Sequence, residues 1–137
     1  MNKHAALRFR HASRTPVRPA LPADATRCRR CVRSDLSAVT IGGRAYVLGG
    51  YDGGEPIDSV LETTDGSAFT QVATLPTPAR YMAVATLGGM IYAFGGESAD
   101  GEATDAIQAI DPKAETARVV GHLHEPSSHG AAFNLGG

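Results

Sequence analysis

Residues Leu36–Gly50 read LSAVTIGGRAYVLGG, and residues Met82–Gly96 read MAVATLGGMIYAFGG, the same phrase 46 positions later. A third copy begins at Gly130–Gly137 as GAAFNLGG. Recurrence at a period of about 40–50 residues marks a repeat architecture, whose units cannot bury their apolar faces alone. Inside the first copy, Leu36–Ile41 alternates small and β-branched residues and is predicted as a strand that can be covered on both faces. Gly42-Gly43 is predicted as a two-residue hairpin turn, and Arg44–Leu48 as the returning strand. Gly49-Gly50 ends that strand, where the lack of side chains lets a neighbouring backbone come close.

Moving outward, Tyr51–Pro56 is dense in turn formers and reads as a loop. Asp58–Thr63 and Phe69–Ala73 are predicted as a third and fourth strand joined through Asp65-Gly66, and Leu75–Pro78 leads into the next copy. The second copy repeats this plan with strands Met82–Leu87, Met90–Phe94, Asp105–Ile110 and Thr116–Val120. Its two extra residues fall in the loop Glu97–Thr104 and near Glu115, so the strands stay in register. Four antiparallel strands per unit, with paired glycines in each, describe a propeller blade. The chain divides into residues 1–33, a first blade at 34–79, a second at 80–127, and the first strand of a third at 128–137.

The phrase resembles the kelch repeat, through Ala38-Val39, Tyr46 and Gly49-Gly50 in one copy and Val84-Ala85, Tyr92 and Gly95-Gly96 in the other. The resemblance covers roughly residues 35–137 and implies an all-β fold of kelch-type propeller blades. It departs from the family in the outermost strand, where a Trp is usual and Phe69 and Ala117 stand instead. A closed propeller takes about four to eight blades. Two blades and one strand do not close a ring, so the 137 residues are expected to be a fragment of a longer protein or only marginally stable. Their open blade edges would be sites for self-association.

Charge is distributed unevenly. The net charge is −1, but residues 1–33 hold Lys3 and eight arginines against Asp24, a balance of +8, and the remainder carries −9. Residues 1–33 show no strand or helix period, are rich in Arg, Ala and Pro, and are expected to be a disordered basic tail. An unrelated reading frame in GC-rich DNA would have the same composition. Such a tail supports weak, salt-sensitive contact with anionic surfaces and no specific nucleic-acid recognition. There is no run of 18 apolar residues and no secretory h-region, so no membrane span is expected and a cytoplasmic location is the default.

The only cysteines, Cys28 and Cys31, form half of a zinc-site spacing with no second pair to complete it. His122, His124 and His129 fall in the loop after the second blade and read as exposed loop histidines. No metal or other cofactor is therefore expected. The kelch resemblance implies that the loops after the second and fourth strand of each blade gather on one face. Here these are Tyr51–Pro56, Leu75–Arg80, Glu97–Thr104 and Leu123–Ser128. Binding residues concentrate on loops held by a rigid scaffold, which makes Tyr51, Asp52, Glu55, Arg80, Tyr81, Glu97 and Asp100 the candidate site. The expected function is a non-catalytic interaction module for a protein, peptide or carbohydrate. The alternatives are a fragment of a kelch-type propeller enzyme, epimerase-like or oxidase-like, and a truncated reading frame without independent function. No nucleophile–base pair or Tyr–His–Cys copper set stands in the repeats.

Overall fold

The computed structural model describes residues 32–136 and contains eight strands and no helix among them. They are β1 (Ser37–Ile41), β2 (Arg44–Leu48), β3 (Ser59–Thr63), β4 (Thr70–Thr74), β5 (Ala83–Leu87), β6 (Met90–Phe94), β7 (Ala106–Asp111) and β8 (Thr116–His122). The strands build two four-stranded sheets, ordered β1-β2-β3-β4 and β5-β6-β7-β8, each antiparallel throughout. This is the arrangement of two successive propeller blades, as the resemblance implies.

Local chemistry accounts for the meander. Gly42 and Gly43 both take positive φ (56° and 79°), as do Gly88 and Gly89 (59° and 79°), which matches the twist of a two-residue hairpin to its strands. Register then follows directly: Ile41 faces Arg44, and Leu87 faces Met90. The Asp65 carboxylate accepts hydrogen bonds from the Ser67 and Ala68 amides in the β3–β4 turn. Asp111 does the same for Lys113 and Ala114 in the β7–β8 turn.

Both sheets carry a register shift at the same place. It falls between Val60 and Leu61 in β3 and between Ile107 and Gln108 in β7. One extra residue is accommodated on the outer strand, Val72 in one sheet and Val120 in the other. A bulge strengthens local twist, so its recurrence gives the two blades the same curvature.

The core lies between the sheets. Tyr46, Leu48, Val60 and Val72 of the first meet Ile91, Ala93 and Ile110 of the second, with Leu75, Ala79 and Met82 of the connecting segment between them. Period 2 explains the sidedness: Tyr46 and Leu48 share one face of β2, and Ile91 and Ala93 one face of β6. Each fully buried Leu or Ile contributes roughly 1.5–3 kcal/mol relative to exposure. Two polar links also cross the junction. The Ser37 hydroxyl donates to the Met82 carbonyl at 2.6 Å. The fully buried Gln108 amide donates to the Thr77 carbonyl and accepts from the Thr77 amide, both at 2.9 Å. Among the described residues no buried side-chain nitrogen or oxygen lacks a partner.

Two sequence expectations differ from what is observed. Residues 130–136 form no strand, because no second strand stands beside them to complete a ladder as β2 does for β1 and β6 for β5. Arg33, grouped by charge with the tail, is anchored in the first sheet: its guanidinium donates to the Gly49 carbonyl at 3.0 Å and the Ser59 hydroxyl at 2.8 Å. Residues 1–31 of the basic tail, with Cys28 and Cys31, lie outside the described residues. Among the described residues no helix is long and apolar enough to cross a membrane.

Candidate functional site

The paired glycines after β2 and β6 bring the repeat loops together. Gly49 and Gly95 sit at φ 57° and 61°, and a Cβ there would lie 2.4 Å from the Ala79 carbonyl and 2.1 Å from that of Ser127. Only a residue without a side chain permits this approach. The following glycines then donate to the carbonyls of the inter-blade loops, Gly50 to Ala79 at 3.1 Å and Gly96 to Ser127 at 2.8 Å. Each loop is tied once more by a reciprocal backbone pair, Ser34 with Tyr51 and Arg80 with Glu97.

The residue beside that pair is unusual in every repeat. Asp35, Tyr81 and His129 all adopt the left-handed conformation, at φ 57°, 56° and 58°. Such a conformation costs about 1–3 kcal/mol for a residue with a side chain and persists only where its surroundings enforce it. Here the enforcement is visible. The Tyr81 amide donates to the Asp35 carbonyl and the His129 amide to the Tyr81 carbonyl, both at 3.0 Å. One row of backbone hydrogen bonds therefore runs from repeat to repeat, and it reaches the start of the third copy.

The side chains on this row form one cluster. Arg80 donates from Nε to Glu97 Oε1 at 3.0 Å, pairs with the same carboxylate through Nη2, and approaches Asp35 at 3.9 Å. Its guanidinium carbon lies 4.6 Å from the Tyr51 ring centre and 5.3 Å from that of Tyr81, within cation–π range. The Tyr81 and His129 rings stack with centres 3.9 Å apart. The hydrogen bond to Glu97 raises the Arg80 pKa further. A hydrogen bond to Asp35, followed by burial, raises that of the Tyr81 phenol. The guanidinium is thus held charged in a fixed plane, and the phenol is held neutral as a donor.

Of the candidate residues, Tyr51, Arg80, Tyr81 and Glu97 converge in this cluster. Asp52 and Asp100 do not: they shape their own loops. Asp52 accepts from the Gly54 and Glu55 amides, and Asp100 from the Ser98 hydroxyl and the Glu102 amide. These bonds lower both carboxyl pKa values, led by the Glu55 amide for Asp52 and the Ser98 hydroxyl for Asp100. Glu55 is exposed on the first of these loops. Two members of the cluster escaped sequence reasoning, Asp35 and, as a ring partner, His129. Aligning the repeats one residue before the phrase would have placed both in register with Tyr81. Among the described residues no three His, Cys, Asp or Glu side chains converge as a metal site. His122 instead meets Asp105 at 3.0 Å.

The model of the kelch motif matches residues 33–61 and 78–116. The chain is also 36% identical over 77 residues to Kelch-like protein 35 of Mus musculus. That match covers 55% of this chain and 13% of the mouse protein, so the chain spans only a small part of its relative's length. The first matched segment runs from Arg33 into β3 and the second from the inter-blade loop to the start of β8.

Proposed function

The chain belongs to the kelch-repeat family, and from that premise we propose that it acts as a non-catalytic binding module whose loop face receives a protein or peptide. The observation that carries this reading is the fixed Arg80 cluster, in which a guanidinium is clamped by Glu97 and flanked by Tyr51 and Tyr81 where two repeats meet. Tyrosine and arginine are among the side chains most enriched at the energetic centres of interfaces. A cluster ordered before binding loses little entropy on binding.

Charge narrows the partner. Asp35 and Glu97 lie against Arg80, whose own charge is already met by Glu97, and Asp52, Glu55 and Asp100 stand on the loops that follow β2 and β6. The surplus of carboxylates favours a partner segment carrying Lys or Arg. A carbohydrate, stacking on the tyrosines, would use the same rings and less of the charge.

The test begins with affinity enrichment on the wild-type chain and isothermal calorimetry on the partner it identifies. Arg80→Ala combined with Glu97→Ala is expected to weaken binding at least about tenfold, a loss of roughly 1.4 kcal/mol. Lys113→Ala, in the β7–β8 turn at the opposite end of the sheets, is expected to leave it unchanged. Equal affinity for the double variant and the wild type would refute the loop-face assignment.

A further inference from the structure

At the end of the sheets opposite the loop face, where the hairpins turn, the two blades leave a cleft of ≈ 500 Å³ between them. Small-molecule sites usually enclose about 300–1,000 Å³. Ile41, Arg44, Tyr46 and Glu62 of the first sheet form one wall, and Pro112 and Lys113 of the β7–β8 turn the other. Both walls belong to the two described blades, so the cleft stands whatever precedes or follows them in the chain.

The cleft offers spare donors and no spare acceptor of charge. Glu62 spends both carboxylate oxygens inside the first wall: Oε1 accepts from Arg44 Nη1, and Oε2 from the Tyr46 hydroxyl at 2.9 Å. Among the described residues the other guanidinium N–H groups of Arg44 have no partner, and its side chain is 54% exposed. Lys113 forms no ion pair among them either. The Asp111 carboxylate of its own turn accepts from the Lys113 and Ala114 amides instead. Half-buried Ile41 and buried Pro112 give the cleft an apolar floor. The repeat itself does not ask for these charges. At the equivalent positions of the second blade Met90 replaces Arg44 and Ala109 replaces Glu62, with the strands in the same register. Holding an ion pair partly out of water costs desolvation, and the second blade folds without one.

We propose that this cleft is a second binding site, whose ligand is a small organic oxyanion: a phosphate or carboxylate head on a compact, ring-sized body. Arg44 presents its free N–H groups as a planar fork that fits an oxyanion, and Lys113 reaches in from the opposite wall as a flexible point charge. The body of the ligand lies against Ile41 and Pro112. Glu62 holds the Arg44 guanidinium at the cleft and competes with the ligand for it. The site is separate from the loop face in position and in the sign of the charge it receives. Lys113→Ala, silent for the loop-face partner, is therefore expected to weaken this ligand.

The test is a proton–nitrogen NMR titration of the full chain with phenyl phosphate, benzoate and neutral benzyl alcohol. Phenyl phosphate or benzoate is expected to give saturable shifts at the Arg44 side-chain Nε–H and the Gly89 and Lys113 amides, and the tighter of the two identifies the head group. Benzyl alcohol is expected to leave these signals in place. Lys113→Gln should weaken the anion about fivefold or more, and Glu62→Gln should tighten it about threefold or more, because it frees Arg44 and removes the competing charge. A purely structural role for Glu62 would give weaker binding instead. Circular dichroism checks that each variant is folded. Lys113 is exposed in a turn, so its variant decides the matter should Glu62→Gln unfold. No saturable shift from either anion up to about 10 mM, an equal response to benzyl alcohol, or wild-type affinity in Lys113→Gln overturns the proposal. A folded Glu62→Gln that binds more weakly overturns it equally.

Discussion

Gln108→Leu isolates the polar link between the blades. Gln108 is fully buried in β7 and closes a two-bond ring with the Thr77 peptide, both bonds at 2.9 Å. Leucine keeps nearly the same volume and is what the first blade carries at the equivalent position, Leu61. The substitution therefore creates little cavity and removes both hydrogen bonds. Each such bond contributes about 0.5–1.5 kcal/mol net, and a buried group left unpaired costs about 1–3 kcal/mol. Thr77 is only partly buried, so water recovers some of this loss, and leucine's better burial offsets some more. The net expectation is a destabilisation of about 2 kcal/mol. With a urea slope of about 1–2 kcal/mol/M for a chain of this size, the midpoint should fall by about 1–2 M. Gln108→Glu should cost more at neutral pH, where it buries an anion, and its deficit should shrink as the pH falls. If Gln108→Leu unfolds within about 0.5 kcal/mol of the wild type, in the ordinary range of a surface substitution, the amide clamp does not hold the blades together.

Three further outcomes follow from single residues. Gly95→Ala should lower the melting temperature far more than Gly88→Ala. Both sit near φ 60°, but only the Gly95 Cβ meets a carbonyl, at 2.1 Å, while the Gly88 Cβ meets nothing within 4 Å. Tyr46→Phe should cost about 1 kcal/mol by removing the hydroxyl that donates to Glu62 at 2.9 Å. Burial, then the Glu62 hydrogen bond, raises the Tyr46 pKa above 10.0; its stabilising effect is whole below that pH and lost as pH rises through the folded value, so the variant should flatten the alkaline limb of stability against pH. Asp65 is held at a pKa of about 2, chiefly by the Ser67 amide. Its contribution is present above the ordinary value of 3.8 and lost as pH falls toward 2, so Asp65→Asn should flatten the acid limb, and carboxyl NMR titration should find the low value directly.

The strands were legible because two independent signals coincide in each copy: alternation of small and apolar residues, and glycine pairs that fix both hairpin and strand end. All eight observed strands overlap their predicted spans. The third copy opens a similar phrase, yet Gly130–Gly136 forms no strand, since a strand needs a ladder partner that residue pattern alone does not supply. Four of the cluster's six members were legible from loop placement: Tyr51, Arg80, Tyr81 and Glu97. Asp35 and His129 were not, because a left-handed backbone at an ordinary residue is imposed by neighbouring repeats and leaves no local mark. Gln108 was equally silent: a polar residue within a strand reads as solvent-facing until its partner, Thr77, arrives from 31 residues away.

The central claim is that the two sheets pack face to face as successive blades, and methyl NOE spectroscopy on the full chain tests it most directly. The predicted result is a set of strong cross-peaks linking Leu48 and Val60 of the first sheet with Ile91 and Ile110 of the second, all within the shared core. Cross-peaks confined within each sheet, with none joining those methyl groups, would contradict it.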